Sequence, residues 1–322
     1  MAAAKAFEAK GVIPACLLPF HDDFSIDEAA YRAHLADVTA VDGLSAITVN
    51  AHASEVAACA TDEQRRVLDI ALDEVGGRMA VVNGIYADGS REAARLARLA
   101  AAGGASALLV FPSNTLAMGG QSRPEMAVAH YKCIADACDL PLIVFQYPMA
   151  GLGYPFETLL RLFDDVPSIC AIKDWCDDPM LHERHIREFQ ALPRPVAVLT
   201  THSAWLMSSL AMGPAGLLSG AGSVIADLQV ALWRAVQDKD LARAQEINGR
   251  VYPLVQAFYA PPFLDMHNRM KETLVLLGRL PRAVVRPPLM KLPEAEIARL
   301  GAALRAAGLD RAIEQAGEQA AE

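Results

Sequence analysis

Short apolar segments alternate with longer helical patterns along most of this chain, and this alternation constrains the fold more than any other feature. Eight segments have the length and apolar content of strands that are buried on both faces of a sheet, and a helix pattern follows each one. They are residues 12–17, 46–50, 79–83, 107–111, 142–145, 169–172, 196–200 and 216–219. Eight such repeats predict an α/β fold, a closed (β/α)8 TIM barrel. An open doubly wound sheet is the alternative, but the first strand lacks the glycine-rich turn of a dinucleotide-binding fold.

The pattern changes after the eighth repeat, where three helix patterns follow one another without a strand between them. They cover residues 241–259, 266–277 and 293–307, and two Pro-Pro pairs separate them. We therefore expect a barrel over residues 1–237 and a C-terminal helical appendage over residues 238–322, a small bundle packed on the barrel.

The charge balance excludes several classes of function. The 322 residues include 38 acidic and 29 basic side chains, a formal net charge of −9. Nucleic-acid phosphates and anionic membrane surfaces would therefore repel the protein. No apolar run approaches the roughly 20 residues that span a bilayer, and the first residues lack the apolar core of a secretion signal. We expect a cytoplasmic protein that binds neither nucleic acid nor membranes.

Metal binding has little support in the sequence. The six cysteines are scattered and are expected to be free thiols. His182 and His185 stand three apart on a probable helix, a spacing that could bind a metal, but no further ligand is identifiable near them. We expect a solvated helix face there and no metal site.

The most informative residue is Lys173, which follows the apolar run Ser168 to Ile172 at the end of the sixth strand. Reactive groups of β/α barrels lie at the C-terminal ends of the strands. Apolar surroundings lower the pKa of a lysine, so that its neutral amine can attack a carbonyl group and form a Schiff base. An ion pair between Lys173 and Asp174 at the barrel rim is the alternative.

Around this lysine the chain resembles the dihydrodipicolinate synthase and N-acetylneuraminate lyase family of pyruvate-dependent class I aldolases, from Gly11 to about Gly308. The sixth-strand motif I-K-[DE] of that family is matched by residues 172–174, while residues 51–55 align with its G-x-x-G-E segment and residues 145–148 with Y-N-x-P. The resemblance implies that Lys173 is the Schiff-base lysine of a lyase acting on pyruvate or a related 2-keto acid. It also implies a homo-oligomer, a tetramer or a dimer, that needs no cofactor.

The chain departs from the family at the positions that carry hydroxyl groups. Phe145 stands where the family has a proton-relay tyrosine, and His52-Ala53 stand where it has a Thr-Thr pair. Asn114 stands where the family often has a tyrosine. The arginine that binds the second substrate's carboxylate in dihydrodipicolinate synthase falls near Met149 and Ala150. We therefore expect an aldolase or dehydratase other than the lysine-biosynthetic synthase.

Two side chains are candidates to replace the missing relay. His52 has an imidazole with an ordinary pKa near 6.5, which suits proton transfer at neutral pH. Tyr147 lies two residues after Phe145, on the same face of an extended strand. The alternatives are that His52 only binds a loop carbonyl and that Tyr147 only fills space beside Pro148.

Substrate contacts are expected from the other strand ends. The backbone amides of Ala53 and Ser54 are candidates to hold the keto-acid carboxylate. Further candidate contacts are Asn114, Phe145, Gln146, Thr201, His202 and Leu218. A second class of function stays open, in which a degenerate barrel binds a keto acid or sugar acid as a sensor without turnover.

Overall fold

The computed structural model describes residues 5–309, apart from the side chain of Ala150, and confirms the eight-stranded barrel. All neighbouring strands that are paired in the sheet run parallel, in the order β1-β8-β7-β6-β5-β4-β3-β2. Isolated bridges such as Ala15 to Thr48 close the barrel between the first and second strands. The strands are β1 (Gly11–Pro14), β2 (Ala46–Val49), β3 (Ala80–Ile85), β4 (Ala107–Val110), β5 (Leu142–Gln146), β6 (Ile169–Asp174), β7 (Ala197–Thr200) and β8 (Gly216–Ser219).

One helix follows each strand around the outside of the barrel, and three more form the appendage. The barrel helices are α1 (Glu28–Thr39), α2 (Thr61–Val75), α3 (Ser90–Gly103), α4 (Pro124–Ala135), α5 (Phe156–Asp165), α6 (Pro179–Phe189), α7 (Leu206–Ala211) and α8 (Gly222–Gln237). The appendage helices are α9 (Leu241–Phe258), α10 (Met266–Leu276) and α11 (Glu294–Ala306). The part of the predicted appendage beyond residue 309 lies outside the described residues.

The strands separate two layers of apolar side chains because successive residues point to opposite faces. The inner layer fills the barrel and includes Ile143, Phe145 and Ala171. The outer layer, between sheet and helices, includes Val144 and Ile172. This alternation decides which side chain at each strand end faces the centre of the barrel.

Apolar side chains of the appendage, including Leu254 and Leu274, belong to one continuous apolar cluster with those of the barrel. A buried ion pair also joins the two parts. Lys271 of α10 donates a hydrogen bond to the carboxylate of Glu55, which follows β2, and the backbone N–H of Arg286 donates to the same carboxylate over 2.9 Å. The appendage therefore packs directly on the loop at the end of β2.

Among residues 5–309, no helix combines the length and the apolar composition that crossing a membrane requires.

We predict that Lys271→Met destabilises the protein by about 3 to 5 kcal/mol, because it leaves the buried carboxylate of Glu55 without its cation. Replacing both partners, as in Glu55→Gln with Lys271→Met, should recover most of that loss, since neither charge is then buried alone. Thermal denaturation followed by circular dichroism measures both effects. An unchanged melting temperature in the single variant would show that this pair does not hold the appendage.

Candidate active site

Lys173 lies near the end of β6 with its side chain inside the barrel. It pairs with Phe145 on β5 and Leu199 on β7, and only 5% of its surface is exposed. The Nζ atom is 4.0 Å from the centre of the Phe145 ring. Burial in these surroundings lowers the pKa of Lys173 to about 7. A large fraction of this amine is therefore neutral at physiological pH and able to act as a nucleophile.

Asp174 does not pair with Lys173, so the alternative interpretation of this lysine is wrong. The carboxylate points out of the barrel toward α6, where its Oδ2 atom lies 2.7 Å from Nδ1 of His182 and 2.9 Å from Nδ1 of His185. Burial alone would raise the pKa of Asp174, but the hydrogen bonds from both histidines outweigh it and hold that pKa below its usual value. Within residues 5–309, Lys173 has no ion pair.

The prediction of a solvated face at His182 and His185 is also wrong, because both side chains are fully buried against Asp174. Further potential ligands lie beside them. The donor atoms of Cys176, His182 and His202 lie within 4.8 Å of one another, as do those of Asp174, Cys176 and His185. This spacing could accommodate a metal ion, while hydrogen bonds within the cluster already hold the two histidines in place.

A small cavity of about 20 Å³ surrounds the amine of Lys173. A space of this size holds about one water molecule, so a keto acid can enter only if the walls move apart. The residues that line it are Ala15, His52, Ala53, Phe145, Lys173, Trp175, Thr201, Gly220, Tyr259, Met266 and His267. Four of the predicted site residues besides Lys173 therefore meet here, namely His52, Ala53, Phe145 and Thr201.

The turn after β2 places His52 in this wall. Gly84 allows this turn to lie close to β3, because a Cβ atom on residue 84 would lie only 1.9 Å from the carbonyl oxygen of Asn50. Asn50 has a positive φ of 52° and donates a side-chain hydrogen bond to Asn83 over 2.8 Å. The chain then forms a single 3₁₀ turn over His52–Ser54.

His52 is neutral in this environment. Burial, and to a smaller extent the charge of Lys173, lower its pKa to about 3. Its ring packs edge-on against Phe111, Phe145 and Tyr147, at centroid distances of 4.7, 5.6 and 5.2 Å. The ordinary pKa expected from the sequence does not apply, and any proton that His52 transfers must pass through the neutral imidazole.

Tyr147 does not line the cavity around the amine, whereas His52 does. It packs on Phe145 and Trp175 at centroid distances of 5.4 Å each, and it lines a second, outer cavity that adjoins the first. Burial raises the pKa of its phenol. Tyr147 therefore lies on the route to Lys173 but does not line the cavity around the amine.

The structure places several other predicted contacts outside both cavities. The side chain of Gln146 exchanges two hydrogen bonds of 2.9 Å with the backbone of Tyr154, and Asn114 donates to Asp88. His202 binds Thr200 and the N–H of Asp177 on the outer side of the sheet. Leu218 is buried in the apolar core. Gln146 directly follows the inward-facing Phe145 on β5, so the alternation along that strand turns its side chain away from the cavity.

The N–H and the hydroxyl of Ser54 both already donate hydrogen bonds within the protein. Its N–H donates to the carbonyl of Ala51 over 3.0 Å, and its hydroxyl donates to the carbonyl of Cys16 over 2.9 Å. A carboxylate could bind its amide only by displacing the first of these bonds. Ala53 lines the inner cavity directly.

The appendage contributes three residues to this cavity that the sequence pattern did not reveal, Tyr259, Met266 and His267. Burial raises the pKa of the Tyr259 phenol, while hydrogen bonding to Ser203 and Ser219 opposes that rise. Burial also lowers the pKa of His267 well below its usual value, with smaller contributions from the charges of Lys173 and Lys271. No strand-end signal marks these residues, because they reach the barrel mouth from helical segments late in the chain.

Comparison with known proteins gives a consistent assignment. A sequence model of the dihydrodipicolinate synthetase family matches residues 8–307. The 4-hydroxy-tetrahydrodipicolinate synthase of Methanopyrus kandleri is 27% identical over 290 residues, which cover 89% of this chain and 93% of the relative. A protein of the same name from Dechloromonas aromatica is 30% identical over 303 residues, which cover 93% of this chain and 98% of the relative.

Solved structures confirm the barrel with its C-terminal helices. YagE of E. coli K12, a prophage protein of the dihydrodipicolinic acid synthase family solved in complex with pyruvate, has a TM-score of 0.85 at 24% identity, covering 93% of this chain and 99% of YagE. A monomeric dihydrodipicolinate synthase variant has a TM-score of 0.85 at 22% identity, covering 93% of this chain and 97% of that variant.

The lowered pKa of Lys173 predicts how its reactivity depends on pH. Only the neutral amine attacks a carbonyl group, so the initial rate of adduct formation with pyruvate should rise about tenfold per pH unit below pH 7 and level off above it. Reductive trapping at a series of pH values, followed by mass spectrometry, measures this rate. Lys173→Ala is the control and should give no adduct in the active-site peptide. A rate that rises unchanged to pH 10 would contradict the lowered pKa.

Proposed function

Because this chain belongs to the dihydrodipicolinate synthetase family, we propose that it is a lyase that joins Lys173 to pyruvate or a related 2-keto acid through a Schiff base. The observation that carries the proposal is the position of the amine. It is buried beside Phe145 in a small cavity, and its pKa is lowered to about 7. At that pKa about half of the lysine is neutral at pH 7, compared with about one part in 3,000 for an ordinary lysine.

The reaction begins with attack of the Lys173 amine on the ketone carbon. Loss of water then leaves an iminium ion, which withdraws electrons from the neighbouring carbon and allows a proton to leave C3. The resulting enamine forms a carbon–carbon bond with an aldehyde, and the reverse steps break such a bond. Elimination of water from a hydroxylated keto acid uses the same electron sink. The lysine supplies this chemistry itself, so no cofactor is required.

We further propose that the proton moves through His52, which replaces the hydroxyl that Phe145 lacks. The imidazole lines the cavity beside Lys173. A neutral imidazole has one N–H donor and one acceptor nitrogen, so it can accept a proton on one nitrogen and release another. Tyr147 is the second candidate. Tyr259 is a third, because its phenol lines the same cavity.

The reaction that we propose differs from that of the lysine-biosynthetic synthase, although many relatives carry that name. The side chain of Met149, near the position expected for the carboxylate-binding arginine, lines the outer cavity and cannot pair with a carboxylate. We propose an aldolase or dehydratase for this reason. A homo-oligomer remains the prediction from the resemblance, and a cytoplasmic location remains the prediction from the sequence.

The alternative is a barrel that binds a keto acid or sugar acid as a sensor without turnover. This alternative is supported by Phe145, which lacks the hydroxyl of the tyrosine that transfers protons at this position in the family. Imine trapping does not distinguish the two, because a binding-only lysine could also form an imine. Exchange of the C3 protons of pyruvate in deuterated water does distinguish them, since it requires the proton to leave the iminium intermediate.

We predict that borohydride reduction in the presence of pyruvate labels Lys173, and that the protein exchanges the C3 protons of pyruvate. Lys173→Ala should lose both, because Lys173 is the one lysine among the described residues that line the cavity. Peptide mass spectrometry locates the label, and proton NMR follows the exchange. Labelling of another lysine would contradict the assignment, while labelling without exchange would favour the sensor.

We also predict that His52→Ala lowers turnover by about 10² to 10⁴, the range for loss of a general acid or base, while trapping at Lys173 persists. Tyr147→Phe should cost much less, because its phenol lies outside the inner cavity. The rate of C3 proton exchange, measured at steady state, gives the effect of each variant. Tyr259→Phe is measured in the same way, because Tyr259 is the third candidate for the relay. A large loss in Tyr147→Phe or Tyr259→Phe with an active His52→Ala would assign the relay to that phenol instead.

A further inference from the structure

The cavity around Lys173 adjoins a larger outer cavity that opens toward the surface. His52, Trp175, Met266 and His267 line both cavities, and the outer one has a volume of about 490 Å³. A volume of this order is within the range of small-molecule sites. Whatever group is attached to the keto acid beyond its reacting carbons must therefore lie in this outer cavity.

The walls of the outer cavity are mainly apolar. Tyr147, Met149, Trp175, Phe263, Leu264 and Leu289 supply much of them. The aromatic rings form a continuous row that leads outward from Phe145, because Tyr147 packs on Phe145, Trp175 on Tyr147, and Phe263 on Trp175 at 6.2 Å between centroids. Such a row offers ring faces and edges on which another aromatic group can pack.

Both ionic side chains in these walls already have partners. The carboxylate of Glu55 accepts hydrogen bonds from Lys271 and from the N–H of Arg286. The guanidinium of Arg286 donates to Glu63 over 2.7 Å and to the carbonyl of Ala58 over 2.8 Å. A carboxylate or phosphate on the substrate would have to compete with these bonds, and sugar hydroxyls would meet mostly carbon atoms.

The rim of the cavity exposes apolar side chains to water. Phe263 is 37% exposed and Leu264 is 67% exposed, and they are consecutive residues of the short turn before α10. Exposed apolar residues grouped at the mouth of a cavity indicate a surface that an apolar ligand covers. The appendage therefore shapes the outer site as well as the inner one.

From these observations, and resting on the proposed function, we propose that the protein makes or cleaves 4-hydroxy-2-keto acids that carry an aromatic or branched apolar group at C4. In synthesis, the Lys173 enamine of pyruvate attacks the aldehyde carbon and forms the C3–C4 bond. The proton lost from C3 is matched by the one gained at the aldehyde oxygen, and water then releases the product from the lysine. Cleavage breaks the same bond and returns pyruvate and the apolar aldehyde.

The test compares benzaldehyde with glyceraldehyde as partners of pyruvate, with products quantified by mass spectrometry. Burial of the ring should favour benzaldehyde by about 10² in kcat/KM. The double variant Phe263→Ser with Leu264→Ser should lower that preference at least about tenfold, because it makes the rim polar. Leu241→Ser is the matched control, because Leu241 is 62% exposed at the start of α9 and does not line the cavity. It should leave the preference unchanged.

The outcomes separate this inference from the proposed function. If pyruvate labels Lys173 and exchanges its C3 protons, but benzaldehyde gives no product or is no better than glyceraldehyde, the apolar substituent is wrong and the lyase assignment stands. An unchanged preference in the rim variant would also overturn the inference, because the selectivity would then lie elsewhere. Absence of both labelling and exchange would overturn the proposed function and this inference together.

Discussion

The alternation of side chains along β6 is the constraint on which the rest of this site depends. In a closed barrel, successive side chains of a strand point alternately to the inside and to the outside. Lys173 therefore points inward and Asp174 outward. Inside, the amine meets Phe145 and loses most of its hydration, which lowers its pKa. Outside, the carboxylate binds two histidines and cannot neutralise the lysine. The same geometry therefore creates a reactive amine and removes its nearest counterion.

The appendage completes what the barrel begins. Its segments bring Tyr259 and His267 over the mouth of the barrel, where they line the cavity around Lys173. The buried pair between Lys271 and Glu55 ties the same helices to the turn that carries His52. Stability and site geometry are thus coupled, because loosening the appendage would also open the wall around the amine.

Local periodicity in the sequence was sufficient to predict the eight strands, the three appendage helices and the position of Lys173. Local patterns could not predict contacts between distant segments, such as the approach of Tyr259 to the barrel. The burial of His182 was missed for a different reason: its helix pattern is polar, and only the outward Asp174 explains why an imidazole lies in the core. Alternation along β5 also explains why Gln146 does not line the cavity, since it directly follows the inward-facing Phe145 and bonds to Tyr154 instead.

A crystal structure of the protein grown with pyruvate would show whether the amine of Lys173 forms a covalent bond with the keto acid inside the barrel. We expect continuous electron density from Nζ of Lys173 to C2 of pyruvate, with the carboxylate toward Ala53 and the imidazole of His52 beside the adduct. Pyruvate bound without a covalent bond, or attached to a different lysine, would contradict the role proposed for Lys173.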